Sequence, residues 1–373
     1  MKILLFHASA GYGHKKVAEV VAKEFRLRGL SQDEVKVIDA LDLTSKFFAD
    51  SYRGIYFNCV KYIPDAWGWV YELLDKAKVY RWVRPIRSRY NRIVGQKLLD
   101  LVRQENPDHI ICTHFLSAEL FASAKLRGEI QATLTTVITD FYPHTFWVNE
   151  GTDFYWVMND VSKADLLRRG VDEKKVMARG MPVDSIFKPT GRRNEILSKW
   201  RFAPDRFTLL ITSGSFGLGP YSEILRNLSA YGDRLQCFVV CGNNHEMKAT
   251  LDKERFDFPV QVFGFVNFMD ELMEASDLLL AKPGGATTVE SLAKGVPMIV
   301  LNPIPGQETR NARFLKEQDA SFFMKNPDEV KPIFQAIFEY PELMDAKCKA
   351  VAAVAKPHAT DDLVSFILKT AAH

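Results

Sequence analysis

Several short stretches of the chain carry residue types and spacings that could do chemistry. Ser9-Ala10-Gly11-Tyr12-Gly13-His14 comes directly after an apolar run, Ile3–Phe6. A histidine on a loop at the carboxyl end of a buried strand is neutral near pH 7 and can take a proton from a hydroxyl. The same Gly-x-Gly could open a dinucleotide fingerprint with Asp39 as the ribose acid, but Lys16 stands where the third glycine belongs. Thr139-Asp140-Phe141-Tyr142-Pro143-His144-Thr145-Phe146-Trp147 follows another apolar run. Asp140 could orient or charge-stabilise His14, or serve as the base itself. His144 could hydrogen-bond a sugar or an acceptor. For each of these side chains the plain alternative is a loop residue that satisfies backbone groups.

The second half of the chain places glycines where phosphate could be held. Leu278–Ala281 runs into Lys282-Pro283-Gly284-Gly285-Ala286-Thr287-Thr288-Val289-Glu290, and a helical pattern from Thr287 to Lys294 is closed by Gly295. Glycines let backbone approach closely, and the free N–H groups of a helix start favour phosphate. Thr287 or Thr288 adds a hydroxyl, and Glu290, one turn in, can accept from a ribose diol. An ordinary strand-to-helix turn with a threonine cap is the alternative. Ser213-Gly214-Ser215-Phe216-Gly217-Leu218-Gly219 is a second such cluster, and it is no P-loop because no Gly-Lys-Ser/Thr follows. After Met298–Leu301, Gln307, Glu308 and Asn311 present a polar face at a helix start, suited to sugar hydroxyls or to capping. No Asp-x-Asp occurs, so a carboxylate-bound divalent ion on a diphosphate is not indicated, and no metal or other cofactor is expected.

A third kind of signal is surface chemistry. From Arg53 to Lys97 there are ten Lys/Arg against three acids, a local charge of +7, interleaved with Trp67, Trp69, Trp82 and five tyrosines. Basic and aromatic residues in this mixture suit an anionic bilayer, with Trp67, Trp69, Trp82, Arg81, Arg84 and Arg87 as contacts. RNA asks for the same residues, and a core helix with a solvated basic face is the third possibility. The whole chain carries only +3, so no global field points to nucleic acid.

Elements to position these residues are legible in the pattern. A chain of 373 residues, 47% hydrophobic and 25% charged, fits two globular domains of roughly 150–200 residues. Five scattered cysteines without a CxxC pair fit a reducing cytoplasm, and the N-terminus reads as a first strand rather than a signal peptide. Ile3–Phe6, Val35–Ile38, His109–Cys112 and Leu134–Thr139 read as buried parallel strands, with a helix over Val17–Leu27. Phe207–Thr212, Cys237–Val240, Val260–Phe263, Leu278–Ala281 and Met298–Leu301 form a second series. The expected architecture is α/β, with two doubly wound, Rossmann-like domains, 1–185 and 186–373, facing across a cleft, and the last helix packing back on the first. Ligands of such sheets bind beyond the carboxyl ends of the strands, where the candidate residues fall.

Together these motifs resemble a GT-B glycosyltransferase, and within that fold the family of monogalactosyldiacylglycerol synthases and processive diacylglycerol glucosyltransferases. Gly11–His14, Thr139-Asp140 with His144 and Trp147, Val240–Asn244, Gly264-Phe265-Val266, Lys282–Glu290 and Pro305–Glu308 with Asn311 carry the resemblance in the family's order. It implies an inverting transfer from a UDP-sugar to diacylglycerol, by an enzyme peripheral on the cytoplasmic face of the cell membrane, with no nucleic-acid partner. The Gly214–Gly219 loop with Ser215 and Gly217, and Gly284, Gly285 and Thr287, would bind the diphosphate. Backbone near Phe265 and Val266 would read uracil, and Glu290 the ribose. Gln307, Glu308 and Asn311 would meet the donor sugar, and Gly13, His144 and Trp147 would line the acceptor side with His14 and Asp140. Two departures stand out: Asn243 replaces a usual basic residue, and Ser215-Phe216 interrupts the glycine run. The alternatives are an N-acetylglucosaminyltransferase acting on an undecaprenyl-linked sugar, a non-catalytic UDP-sugar-binding regulator, and a dinucleotide-dependent oxidoreductase.

Overall fold

The computed structural model describes residues 1–9, 12–214, 217 and 219–370. The chain divides into two compact units. Unit 1 gathers Met1–Asp184, Ile304–Arg310 and His358–His373, and unit 2 gathers Ser185–Pro303 and Asn311–Pro357.

Unit 1 alternates strands and helices: β1 (Ile3–His7), α1 (Tyr12–Leu27), β2 (Val35–Asp39), α2 (Lys46–Tyr62), α3 (Pro64–Asp75), α4 (Ala77–Val94), α5 (Gln96–Glu105), β3 (His109–Cys112), α6 (Phe115–Leu126), β4 (Thr133–Val137), β5 (Phe154–Val157), α7 (Asp160–Arg168) and β6 (Val176–Ala178). The strands make one parallel sheet in the order β2-β1-β3-β4-β5-β6. Leu4, Phe6, Ile110, Cys112 and Leu134 meet Leu99, Val102 and Phe121 in the core. The sequence pattern misses β5 and β6. Helix α1 also begins at Tyr12 rather than Val17, so His14 lies in a helix's first turn and not on a loop.

Unit 2 continues with α8 (Arg193–Lys199), β7 (Phe207–Thr212), α9 (Tyr221–Asn227), β8 (Leu235–Val240), α10 (His245–Leu251), β9 (Val260–Phe263), α11 (Met269–Glu274), β10 (Leu278–Ala281), α12 (Gly285–Lys294), β11 (Met298–Leu301), α13 (Gln307–Glu317), β12 (Ser321–Met324), α14 (Val330–Glu339) and α15 (Glu342–Val354). Its sheet is also parallel, in the order β12-β11-β10-β7-β8-β9. Every residue of β7 but the first, and every residue of β8 and β10, is buried, which is why these strands read as unbroken apolar runs. The first turn of α13, Gln307–Arg310, belongs to unit 1 by its contacts.

The last helix, α16 (Ala359–Thr370), completes unit 1. Thr360 exchanges hydrogen bonds with the backbone of Val183. Phe366 meets Phe154 edge-on at 4.9 Å and lies 5.9 Å from Trp156.

Candidate active site

In the first sheet the strand order reverses between β1 and β3, and such a switch point leaves a crevice at the carboxyl ends. His14 occupies that end. Its Nδ1 lies 2.7 Å from the carbonyl oxygen of Thr113, the residue after β3, and Thr113 Oγ1 donates back to the His14 carbonyl at 2.9 Å. A carbonyl only accepts, so Nδ1 carries the proton and Nε2 is left as the accepting nitrogen. The ring stands edge-on to His114 at 4.7 Å. Burial pushes the His14 pKa down to about 4, so the imidazole is neutral at pH 7. Gly13 sits beside it in the first turn of α1.

Asp140 is buried close by but does not orient His14. Its Oδ2 accepts from the Trp147 indole at 2.7 Å and its Oδ1 from the Gln307 amide. Burial raises the Asp140 pKa, while these two donors and the Arg310 charge oppose the rise. The polar atoms of His144 and Trp147 are taken up by neighbouring residues of the same unit. The His144 Nδ1 accepts from Phe146 N at 3.1 Å, and its Nε2 donates to the Tyr71 carbonyl at 2.9 Å. Both ring nitrogens are thus occupied, and the Trp147 N–H is taken by Asp140.

In the second sheet the order reverses between β7 and β10, which pair directly. Both glycine clusters therefore lead from neighbouring strands. Gly214 and Gly217 have φ of +69° and +58°. A Cβ on Gly217 would fall 1.8 Å from the Cys241 carbonyl oxygen, so that position admits only glycine. Ser215 lies outside the described residues. Gly284 is the N-cap of α12, and a Cβ there would meet nothing within 4 Å, so the approach to the helix start, with Gly285 and half-buried Thr287, is open. Glu290 is buried one turn further along. Phe265, after β9, is 59% exposed, with Val266 half-buried beside it.

The three residues expected at a donor sugar have separate fates. Asn311 is fully buried and its amide donates to the Pro283 carbonyl at 2.9 Å, bracing the glycine turn from behind. Glu308 accepts from Ile304 N at 2.8 Å and closes its own turn. Gln307 reaches Asp140, so Gln307 and Glu308 belong to unit 1 rather than to the second domain. The sequence reading assigned no role to Thr113, Asp75, Arg169 or Arg310. Asp75 Oδ1 accepts from Thr145 N at 2.7 Å and Arg169 at 2.8 Å, and its Oδ2 from Arg310 at 2.8 Å. Arg169, His144 and Arg310 hold its carboxyl well below the usual carboxylate range. Among the described residues no group of three or more His, Cys, Asp or Glu is gathered as for a metal ion.

Helix α4 shows how the basic stretch is arranged. Tyr80, Arg87 and Asn91 face inward at helical spacing, and Arg87 pairs with buried Glu119 at 2.6 Å and lies 4.1 Å over the Phe146 ring. Arg87 is therefore an anchor of α4 and not a surface contact. On the opposite face Trp82, Ile86 and Ile93 are 82%, 74% and 70% exposed, flanked by exposed Arg81 and Arg89. Trp69 on α3 is 67% exposed. Trp67 is half-buried, 6.4 Å from the Tyr71 ring, and Arg84 pairs with Glu150 at 3.5 Å. Among the described residues no helix is long and apolar enough to cross a membrane.

Comparison with known proteins decides the class. Residues 14–183 match the family model described as monogalactosyldiacylglycerol (MGDG) synthase, and residues 208–343 match the glycosyltransferase family 28 C-terminal domain. The chain has the GT-B fold and resembles glycosyltransferase families in both of its halves. It is 28% identical, over 98% of its length and 93% of the relative's, to a processive diacylglycerol beta-glucosyltransferase of Bacillus cereus (strain AH187). The counterpart of the same description in Bacillus thuringiensis (strain Al Hakam) is also 28% identical, over 99% and 93%. Its fold is shared with Acinetobacter baumannii MurG, at TM-score 0.63, 16% identity and coverage of 99% and 100%. It is shared too with S. aureus MnaA solved with UDP, at TM-score 0.62, 15% identity and coverage of 98% and 96%.

Proposed function

We propose that the enzyme moves a hexose, glucose or galactose, from a UDP-sugar to the hydroxyl of diacylglycerol with inversion, making a β-glycosyldiacylglycerol. The carrying observation is His14: the Thr113 carbonyl fixes its proton on Nδ1 and burial keeps the ring neutral, which leaves Nε2 ready to accept. In this reading Nε2 takes the acceptor's proton as the hydroxyl oxygen attacks the anomeric carbon. The anomeric bond to the diphosphate breaks on the opposite face, and UDP leaves. One base and one displacement give an inverted product. The open start of α12 meets the diphosphate charge with backbone N–H groups, and Glu290 meets the ribose. No divalent ion is assigned a part, so a chelator leaves turnover unchanged.

The diacylglycerol acceptor is supported by the activity of the relatives, and UDP by the ligand of a solved neighbour. The enzyme works from the inner face of the cell membrane without crossing it. Trp82, Ile86 and Ile93 enter the headgroup layer, and Arg81 and Arg89 meet anionic lipid.

The test offers UDP-glucose, UDP-galactose and UDP-N-acetylglucosamine separately, with vesicles of either diacylglycerol or an undecaprenyl-linked sugar, and identifies product and anomer. A β-linked hexosyldiacylglycerol with UDP release is expected. Transfer only from UDP-N-acetylglucosamine to an undecaprenyl-linked sugar would replace this reading, as would binding without turnover.

A further inference from the structure

Helix α3 touches two things at once. One face carries exposed Trp69 and Val70, continuing exposed Tyr62 and Ile63 just before the helix. The other, Gly68, Tyr71, Glu72 and Asp75 at spacings of three, one and three, lies against the turn Ile304–Arg310. A Cβ on Gly68 would come 2.5 Å from the Pro305 Cβ, so only glycine allows this approach. Gly306, at φ +102°, turns beneath the Tyr71 ring, 3.5 Å from where its own Cβ would be. Arg310 closes the contact: its Nε donates to Glu72 at 2.9 Å, its Nη2 to Asp75 at 2.8 Å, and its guanidinium lies 5.0 Å from the Tyr71 ring centre.

Asp75 is also the common root of both groups that hold Asp140. Through Arg310 it fixes the first turn of α13, where Gln307 donates to one Asp140 oxygen. Through Thr145, whose N–H and hydroxyl both donate to it at 2.7 Å, it fixes the turn whose Trp147 donates to the other. Arg169 braces the same carboxylate.

We propose that Arg310, clasped to Asp75 and Glu72, is a positioning residue that carries the seating of α3 on a lipid surface to the Gln307–Asp140 contact. A helix docked on the bilayer by its Trp69 face then presents a fixed pair of carboxylates to Arg310. The turn bearing Gln307 is held as long as that helix is. The proposal rests on the transferase reading above, and its test separates the two.

Hydrogen exchange is measured on wild type and on Arg310→Met and Arg310→Lys, with and without phosphatidylcholine vesicles containing phosphatidylglycerol. In wild type the vesicles should slow exchange in 64–75 and in 304–311 together. In Arg310→Met the first segment should stay protected and the second should not. In turnover, Arg310→Met should lower kcat by about 10²-fold with the donor KM little changed, the size expected when a reacting geometry slips by an ångström. Arg310→Lys should recover only part, because an ammonium cannot fork to two carboxylates. Protection of 304–311 that survives in Arg310→Met, or kcat within a factor of two of wild type, overturns the clasp. A wild-type α3 that vesicles leave unprotected overturns the link to lipid. Failure of the transferase reading looks different: wild type forms no glycolipid while the exchange pattern is as expected.

Discussion

The carboxyl edges of the two sheets are built from opposite materials. In unit 1 the ends of β1, β3 and β4 are closed by the buried side chains of His7, Thr113, His114, Thr139 and Asp140, with half-buried His14 among them. In unit 2 the ends of β7, β8, β9 and β10 are turned by glycine: Gly214 and Gly217, Gly242, Gly264, and Gly284 with Gly285. Both edges sit at a reversal of strand order, so topology alone does not tell them apart. A closed edge removes titratable rings from water and fixes which nitrogen carries a proton. An open edge leaves backbone N–H groups and room for a ligand to approach them. In the proposed reading the same fold supplies a base on one sheet and a phosphate cradle on the other.

The contrast can be broken by acid. His14, His109 and His144 are each held at about 4 by burial, below the 6.5 of a free imidazole, and His114 is lowered further. Below pH 6.5 the unfolded chain binds protons that native unit 1 refuses. Stability is therefore complete above pH 6.5 and falls as the pH drops from there toward 4. At ~1.4 kcal/mol per unit of pKa the loss across the set is several kcal/mol. Hydrogen exchange at pH 5, corrected for intrinsic rates, should show unit 1 opening before unit 2, where His245 is exposed. Equal opening of both removes the distinction.

Substitution tests each edge separately. His14→Ala should cut turnover by about 10²–10⁴-fold while UDP affinity, measured by calorimetry, stays near wild type. A folded His14→Ala enzyme with near-normal turnover would transfer the role of base to Asp140. Glu290→Ala is the smaller effect: about 1.5–3 kcal/mol off UDP affinity for a lost charge-assisted contact, with turnover at saturating donor nearly kept. Unchanged affinity in the folded variant would sink the ribose assignment.

Much of the frame could be read from residues. β3, β7, β10 and β11 have the bounds their apolar runs suggest, because each is buried along most of its length, and β9, half-buried throughout, keeps its bounds as well. β6 escaped because it is only three residues long, and β12 because its middle residues are not buried, with Phe323 exposed. The start of α1 was misplaced because Gly13 looks like loop, yet Thr113 holds the His14 carbonyl and ring and draws the first turn into the helix. That His14 stands at the carboxyl edge of the first sheet could be read from its place after the first apolar run. The grip on Asp140 could not, since Trp147 and Gln307 come from different parts of the chain and no spacing rule joins them. Asp75 looked like one acid diluting a basic stretch, and its partner Arg310 lies 235 positions away.

The return of α16 to unit 1 has a consequence for how the protein is made. A ribosome releases about nine-tenths of unit 1, Met1–Asp184, early, with the Phe154 and Trp156 face still waiting for Phe366 and the Val183 backbone for Thr360. Unit 2 has all of its own segments by Pro357. The unit begun first is therefore finished last, and the nascent chain carries an uncovered aromatic face through most of its synthesis. That interval is where chaperone capture or aggregation of this enzyme would be decided.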